Sequence, residues 1–343
     1  MIDKPAEIAV KSQKSVQALD RRICVAPMMD WTDSHCRYLH RLYSPHALLY
    51  TEMIVAAAIV RGNVRQLLDH NADEYPVALQ LGGCDPKELA QAAKLGTAAG
   101  YAEINLNVGC PSDRVKNGSF GACLMLKPAL VAQCVASLRD ATSLPVTVKC
   151  RIGIDDRDDY EFFSDFVDKV AAVGVNALIV HARAAILAGL SPKQNREIPP
   201  LKYDYVHRLK RERPELTILI NGGLADSETV ATHLDQGLDG AMLGRAVYHR
   251  PALLAELERR IMDPLWVVPE PWQILERMVP YARACAQRGM RLHSITRHMH
   301  GLMAGREGAR AWRRFLSDVA MRPDATADTL FSALPIVGQG LAA

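Results

Sequence analysis

VTVKCRIGIDDRDDYEFFSDFVDKVAAVGVNALIVHA, residues 146–182, sets two apolar, β-branched runs on either side of an amphipathic stretch. The runs VTVKCRI (146–152) and ALIVHA (177–182) are nearly continuously apolar, the habit of strands buried on both faces of a parallel sheet. Between them, DYEFFSDFVDKVAAV repeats its apolar residues at helical spacing and opens with an Asp in the N-cap place. The segment reads as strand, crossover helix and parallel strand.

The same unit recurs in both directions along the chain. Further candidate strands are ICVAPM (23–28), ALLYTEM (47–53), VALQL (77–81), AEINLNV (102–108), LTILING (216–222) and GAMLGR (240–245). Helix-compatible segments such as DPKELAQAAKLGTAA, PALVAQCVASLRDA and DSETVATHLDQG lie between them, opening with Asp or Pro. Strand and helix thus alternate eight times over about 230 residues, a pattern that predicts an α/β fold of the (β/α)8 TIM-barrel type rather than an open doubly wound sheet. After about residue 250 the rhythm stops. ALLAELERRIMDPL, PWQILERMVPYARACAQRGM, a Met/His/Arg-rich segment and GREGARAWRRFLSDVA then read as helices without strands. The expected organisation is an N-terminal extension (1–21), a barrel (22–252), a small C-terminal helical domain (253–322) and a poorly ordered tail (323–343).

The composition of the 343-residue chain, 49% hydrophobic and 23% charged, is that of a folded globular protein. Its longest apolar run, MIVAAAIV at 53–60, falls far short of the ~20 residues that span a bilayer, and no signal-peptide pattern opens the sequence. A cytoplasmic location is expected. The eight cysteines never fall into C-x-x-C or a Cys/His spacing that suits zinc, so no metal is expected, and Cys24, Cys134 and Cys150 read as inert core thiols. Net charge is only +3, but residues 281–314 carry eight Arg against one acid, Glu307. Nothing in the sequence marks an obligate protein partner.

Barrel chemistry sits at the C-terminal ends of the strands. There the sequence offers APMMDWTD, Glu52, Gln80, NLNVGCPS, KCR (149–151), HAR (181–183), NGG (221–223) and GR (244–245). NGG and GR after strands seven and eight expose backbone N–H groups and a guanidinium where barrels bind phosphate, which fits a flavin mononucleotide or a sugar phosphate. Lys149 suits a Schiff base, a partner for an electron-rich ring or an ion pair. Gln80 can bond both donor and acceptor edges of a heterocycle. In NLNVGCPSDRVKNGSFGACLM (105–125), Gly109 and Pro111 place Cys110 in a turn that carries its thiol over the site, and NGSFGA has the composition of a closing loop. Such a thiol can serve as a proton donor.

Together these motifs, with ALQLGG, VKCRIGID, GLSPKQNREIPPL and LGRAVYHRP, resemble the flavin-dependent tRNA-dihydrouridine synthases, A subfamily, over residues from about 22 to 315. The resemblance implies FMN in the barrel, NADPH as reductant and tRNA as substrate, with Cys110 protonating C5 of a D-loop uridine, at positions 20 and 20a, as hydride reaches C6. It implies that Pro27, Met28 and Met29 run along the flavin, that Gln80 and Lys149 bond its pyrimidine edge, and that His181, Asn221, Gly222, Gly223, Gly244 and Arg245 hold ring and phosphate. Asn107, Arg151 and Arg183 become expected contacts to the base or its phosphates. Arg306, Arg310 and Arg313, read as one helical face, and Lys193 and Arg196 from the loop after strand six would line the tRNA cleft. His298 and His300 read as packing or RNA-contact residues. Rival readings are an FMN-dependent free-pyrimidine oxidoreductase of the dihydroorotate dehydrogenase type, a Lys149 Schiff-base aldolase, and a non-catalytic RNA-binding module.

Overall fold

The computed structural model describes residues 19–112, 120–322 and 324–338. Eight parallel strands close into a barrel: β1 (Ile23–Val25), β2 (Leu48–Tyr50), β3 (Val77–Gly82), β4 (Glu103–Val108), β5 (Val146–Arg151), β6 (Ala177–His181), β7 (Ile218–Asn221) and β8 (Gly240–Leu243). Closure comes from β1, which pairs with β2 through Cys24↔Leu48 and with β8 through Cys24↔Met242. A two-residue stub, Ile54–Val55, adds to the upper end of β3.

Local chemistry explains why the crossover segments are helical. In Tyr160–Ala171 the Asp159 carboxylate accepts from the Phe162 N–H at 2.8 Å, and Phe163, Phe166, Val167 and Val170 form one buried stripe. Burying each of those side chains stabilises the fold by roughly 1.5–3 kcal/mol, more than the helix's own propensity provides. Asp85 and Asp226 cap Pro86–Ala99 and Ser227–Asp235 in the same way. These helices cover the outer face of the barrel, while Cys24, Ala26, Leu48, Tyr50, Ala78, Ala177, Ile179, Leu219 and Met242 fill its interior. Cys24, Cys134 and Cys150 are fully buried, and burial pushes the Cys134 and Cys150 thiols up to about 12.

The chain beyond the barrel is helical but differs from the sequence expectation in three places. Only Leu292–Thr296 of the Met/His/Arg-rich segment is helical. In GREGARAWRRFLSDVA the helix begins at Ala309, because Gly308 takes a left-handed conformation at φ +81°. The stretch expected as a loose tail is instead folded over 324–338: turns at Ala327–Ala333 and a short helix, Leu334–Val337, bury Leu330, Ala333 and Val337. The apolar residues spaced through TLFSALPIV explain this, since they supply a face for Pro271–Gln287 to cover. Residues 1–18 of the expected extension, with 323 and 339–343 of the tail, lie outside the described residues.

Barrel and helical segment are joined through the loop after β1. Asp33 at the end of that loop bonds Arg297 and His298, and on the helix Ser34–Tyr43 that it caps, Tyr38 stacks on Tyr281 at 3.8 Å. Burial alone would raise the Asp33 carboxyl, but His298, the Cys36 N–H and Arg297 outweigh it and hold the group well below the usual carboxylate range. His298 is therefore a packing residue of this joint. Among the described residues no helix is long and apolar enough to cross a membrane, and no group of three or more His, Cys, Asp or Glu could hold a metal ion.

Candidate active site

Strand register assembles the mouth of the barrel. Asn107 lies beside Lys149 across β4 and β5, Arg151 beside His181 across β5 and β6, and His181 beside Asn221 across β6 and β7. Residues distant in sequence thereby project from one rim.

Cys110 stands in the turn that leaves β4. The Asn107 Oδ1 accepts from the N–H groups of Cys110 at 3.0 Å and Gly109 at 3.2 Å, while the Arg151 Nε donates to the Gly109 carbonyl at 2.9 Å. The Ala122 N–H donates to the Cys110 carbonyl at 3.0 Å, so the turn is held from three sides with its half-buried thiol 3.4 Å from the Ser112 hydroxyl. Of the expected closing loop NGSFGA, residues 117–119 lie outside the described residues, and Gly121–Leu126 is a tight helical turn with Ala122, Leu124 and Met125 buried.

Two of the expected substrate contacts also hold this turn in place. Arg151 is only 3% exposed, and its guanidinium donates to the carbonyls of Gly109, Ala184 and Asn195, so it ties the loop after β4 to the loop after β6. Asn107 spends its carbonyl on the Cys110 turn and an amide N–H on Gln80. Strand-end position announced these side chains, but not the bonds they make to neighbouring groups of the protein.

Beside the thiol lies a cationic cradle. The Lys149 ammonium donates to Asn221 Oδ1 at 2.9 Å, and the Asn221 amide donates to the Met242 carbonyl at 2.6 Å. Burial, with Arg151 adding repulsion, brings the Lys149 group down to about 8. Burial, then Arg151 and Lys149, push the His181 imidazolium well below its usual range, so the ring is neutral. Its Nδ1 is buried without a hydrogen-bond partner among the described residues. Gly222 and Gly223 have φ of +104° and +74°; a Cβ on Gly222 would stand 3.2 Å from the His181 ring, and one on Gly223 2.7 Å from the Tyr203 hydroxyl. Across the mouth, Met28 is half-buried with its sulfur 3.4 Å from the place a Gly244 Cβ would occupy; Pro27 is half-buried too, and Met29 is 54% exposed. A planar polar ring carrying an anionic tail fits these groups: an imidazole nitrogen and a cation that lack, among the described residues, a hydrogen-bond partner and a carboxylate respectively, with a thioether wall and a glycine cradle. Arg245, expected at the phosphate, ion-pairs with exposed Glu197 at the rim.

Sequence reading missed a second polar system beneath the mouth. Glu103, Asn105 and Asn107 alternate with Ile104, Leu106 and Val108 along β4, so the three polar side chains share the inner face. The Thr147 hydroxyl donates to Glu103 Oε1 at 2.5 Å, Asn105 Nδ2 to Thr147 Oγ1 at 2.8 Å, Gln80 Nε2 to Asn105 Oδ1 at 2.8 Å and Asn107 Nδ2 to Gln80 Oε1 at 2.8 Å. Gln80, expected at a ring edge, is 1% exposed and keeps one N–H and one lone pair free of this chain. The period-two pattern in EINLNV was the available signal.

The expected basic surface is only partly free. Arg306 precedes the helix Ala309–Asp318 and pairs with Glu270, so it does not share a helical face with Arg310 and Arg313. Arg283, Arg297 and Arg314 pair with Asp328, Asp33 and Asp318. The scarcity of acids within 281–314 misled because their partners lie elsewhere in the chain. Arg310 and Arg313 remain exposed and make no ion pair with any described residue, and Lys193 and Arg196 are exposed on the loop after β6. Arg183 is partly buried, donates to the Pro199 carbonyl and leaves its Nε without a partner among the described residues.

Comparison with known proteins agrees with this geometry. The family described as "Dihydrouridine synthase (Dus)" matches residues 24–334. Proteins named tRNA-dihydrouridine(20/20a) synthase from Shewanella oneidensis and from Escherichia coli strain K12 are 54% and 53% identical over 88% and 92% of this chain, covering 90% and 91% of their own lengths. A protein of the same name from Xanthomonas campestris pv. campestris is 54% identical over 89% of the chain and 90% of its own length. The chain belongs to the dihydrouridine synthase family.

Proposed function

We propose that this protein reduces the C5–C6 double bond of uridines in tRNA, at positions 20 and 20a of the D-loop, using FMN and NADPH. The observation that carries the reading is the clamped Cys110 turn beside the Lys149, His181, Gly222 and Gly223 cradle. The names of the curated relatives support the choice of substrate and positions.

When bound, the flavin supplies hydride to C6 and is recharged by NADPH. Lys149 holds a positive charge toward the ring, and the neutral His181 offers its free Nδ1. Gly222 and Gly223 let the backbone pack against His181, Leu201 and Tyr203 at the rim without steric conflict, while Met28 lines the opposite wall. The Cys110 Sγ–H gives its proton to C5, and the thiolate left behind lies within the field of Lys149, Arg151 and Arg196. One C=C bond is lost, two C–H bonds form, and NADPH is oxidised. A uridine within a folded tRNA must be swung out of its stack to reach this mouth. Lys193, Arg196, Arg310 and Arg313, with Arg183 at the rim, supply phosphate contacts.

The test is anaerobic: reduce the flavoprotein with NADPH, then add unmodified tRNA, free uridine or orotate. Reoxidation by tRNA alone is the expected result. Reoxidation by orotate would establish the free-pyrimidine alternative, and a colourless protein that takes up no FMN would return Lys149 to Schiff-base chemistry.

A further inference from the structure

We infer that Glu103, at the closed end of the barrel, is a positioning residue for the Cys110 turn, acting through a one-way ladder of hydrogen bonds along the inner faces of β3, β4 and β5. The inference deepens the proposed function by adding a residue that never touches substrate.

The direction of the ladder follows from donor and acceptor inventories. Glu103 is fully buried, with Arg21 Nε donating to Oε2 at 2.8 Å. An ionised carboxylate has no proton, so the Thr147 hydroxyl must donate to it. That hydroxyl has one hydrogen, and it is now committed; toward Asn105 it can only accept. Asn105 therefore turns its NH2 to Thr147 and its carbonyl to Gln80, which must answer with its own NH2. Gln80 then shows its carbonyl to Asn107, whose NH2 must face it, leaving the Asn107 carbonyl toward the Gly109 and Cys110 N–H groups. Starting from the turn gives the same orientations, because two backbone N–H groups can be satisfied only by the carbonyl end of Asn107. Five buried side chains thus admit one arrangement, and reversing any amide would set donor against donor at the turn or at Glu103.

Replacing Glu103 by Gln tests the polarity. Its single carbonyl cannot serve Arg21, Tyr50 and Thr147 as two carboxylate oxygens do, so either Arg21 loses its partner or the ladder receives a donor at its foot. Thr147→Val breaks one rung with little change of volume, and Thr147→Ser restores it. Tyr50 donates to Glu103 Oε1 at 2.6 Å but is not a rung, so Tyr50→Phe removes a buried hydrogen bond at the same depth and serves as the control.

Two readouts are taken on the flavin-loaded full chain: kcat and KM for tRNA reduction, and the rate at which iodoacetamide alkylates Cys110, followed by peptide mass spectrometry. Glu103→Gln and Thr147→Val should lower kcat about tenfold with KM unchanged, since misplacement by an ångström costs up to about a hundredfold. They should also change the alkylation rate several-fold. Thr147→Ser should restore both readouts, and Tyr50→Phe should lower only the melting temperature. The ladder is overturned if Thr147→Val matches Tyr50→Phe in both readouts, or if Thr147→Ser fails to rescue. Should Glu103→Gln not fold, the Thr147 pair decides alone. If the wild-type protein does not reduce tRNA, the proposed function falls, and the alkylation rates still decide the ladder.

Discussion

At the foot of the barrel Arg21 meets the Glu103 carboxylate at 2.7 Å, and the Tyr50 and Thr147 hydroxyls complete the anion's shell. At the mouth, Lys149 and Arg151 have amide and carbonyl oxygens as partners, the His181 Nδ1 has no partner among the described residues, and none of the three makes an ion pair to a described carboxylate. Both ends bury charge, and the low interior dielectric makes each arrangement costly unless it is compensated. The foot is compensated by the chain itself and is structural. Among the described residues the mouth is compensated by dipoles alone, the arrangement expected of a site built for an anionic cofactor and a developing thiolate.

The largest effect expected at the mouth is chemical. Cys110→Ala should retain FMN and NADPH oxidation yet lower dihydrouridine formation by about 10²–10⁴-fold, the usual worth of a positioned proton donor. Mass spectrometry of treated tRNA checks it; formation at the normal rate would sink the general-acid role.

At the foot the largest effect is on stability. Arg21→Met strands a buried carboxylate and should cost about 3–5 kcal/mol in urea unfolding. Arg151→Met at the mouth strands three carbonyls rather than a charge, and it also removes a cation that burial brings down to about 10, so relief of that penalty offsets much of the loss. Arg21→Met should therefore be the more destabilising of the two. Equal losses would break the distinction between a structural and a functional end.

The foot and the mouth were unequally legible in the sequence. All eight strands and the main crossover helices could be read from apolar runs and caps, because burial on both faces and Asp N-caps write themselves locally. The polar residues at strand ends were found by a geometric rule that holds for any such barrel. The contacts that Arg151 and Asn107 make within the protein were not legible, because a strand-end guanidinium or amide reads the same in sequence whatever it bonds. The Glu103 ladder was overlooked for the opposite reason. Its period-two pattern lay in the open within EINLNV, masked by the apolar residues between.

Acidity at the mouth gives a smaller, signed effect. Lys149 is depressed from 10.5 to about 8, with Arg151, Arg196, Cys110 and Cys150 the charged or titratable groups around it. Below pH 8 both folded and unfolded chains carry the proton, and the folded state bears the full penalty. Between about 8 and 10.5 only the unfolded state holds it, so stability of the flavin-stripped protein rises with pH through that window. Lys149→Met removes the dependence. The variant's stability relative to wild type should fall by about 2 kcal/mol between pH 7 and pH 10, measured by urea unfolding at each pH. A constant difference across that range would mean that the ammonium is well solvated.

The smallest effect belongs to the helical segment, where charge meets water rather than a low-dielectric site. Arg310 and Arg313 are exposed and unpaired among the described residues, whereas Arg306 is held by Glu270. If the free pair contacts tRNA phosphates, Arg310→Glu with Arg313→Glu should weaken binding at low salt and lower the slope of log affinity against log salt by about one per lost contact. Arg306→Glu should change that slope less, because its charge is already answered within the protein, and NADPH-driven flavin reduction should be untouched in both variants. An equal slope change at Arg306 would mean that tRNA displaces Glu270. The contrast between paired and unpaired arginines would then describe the free protein and not its complex.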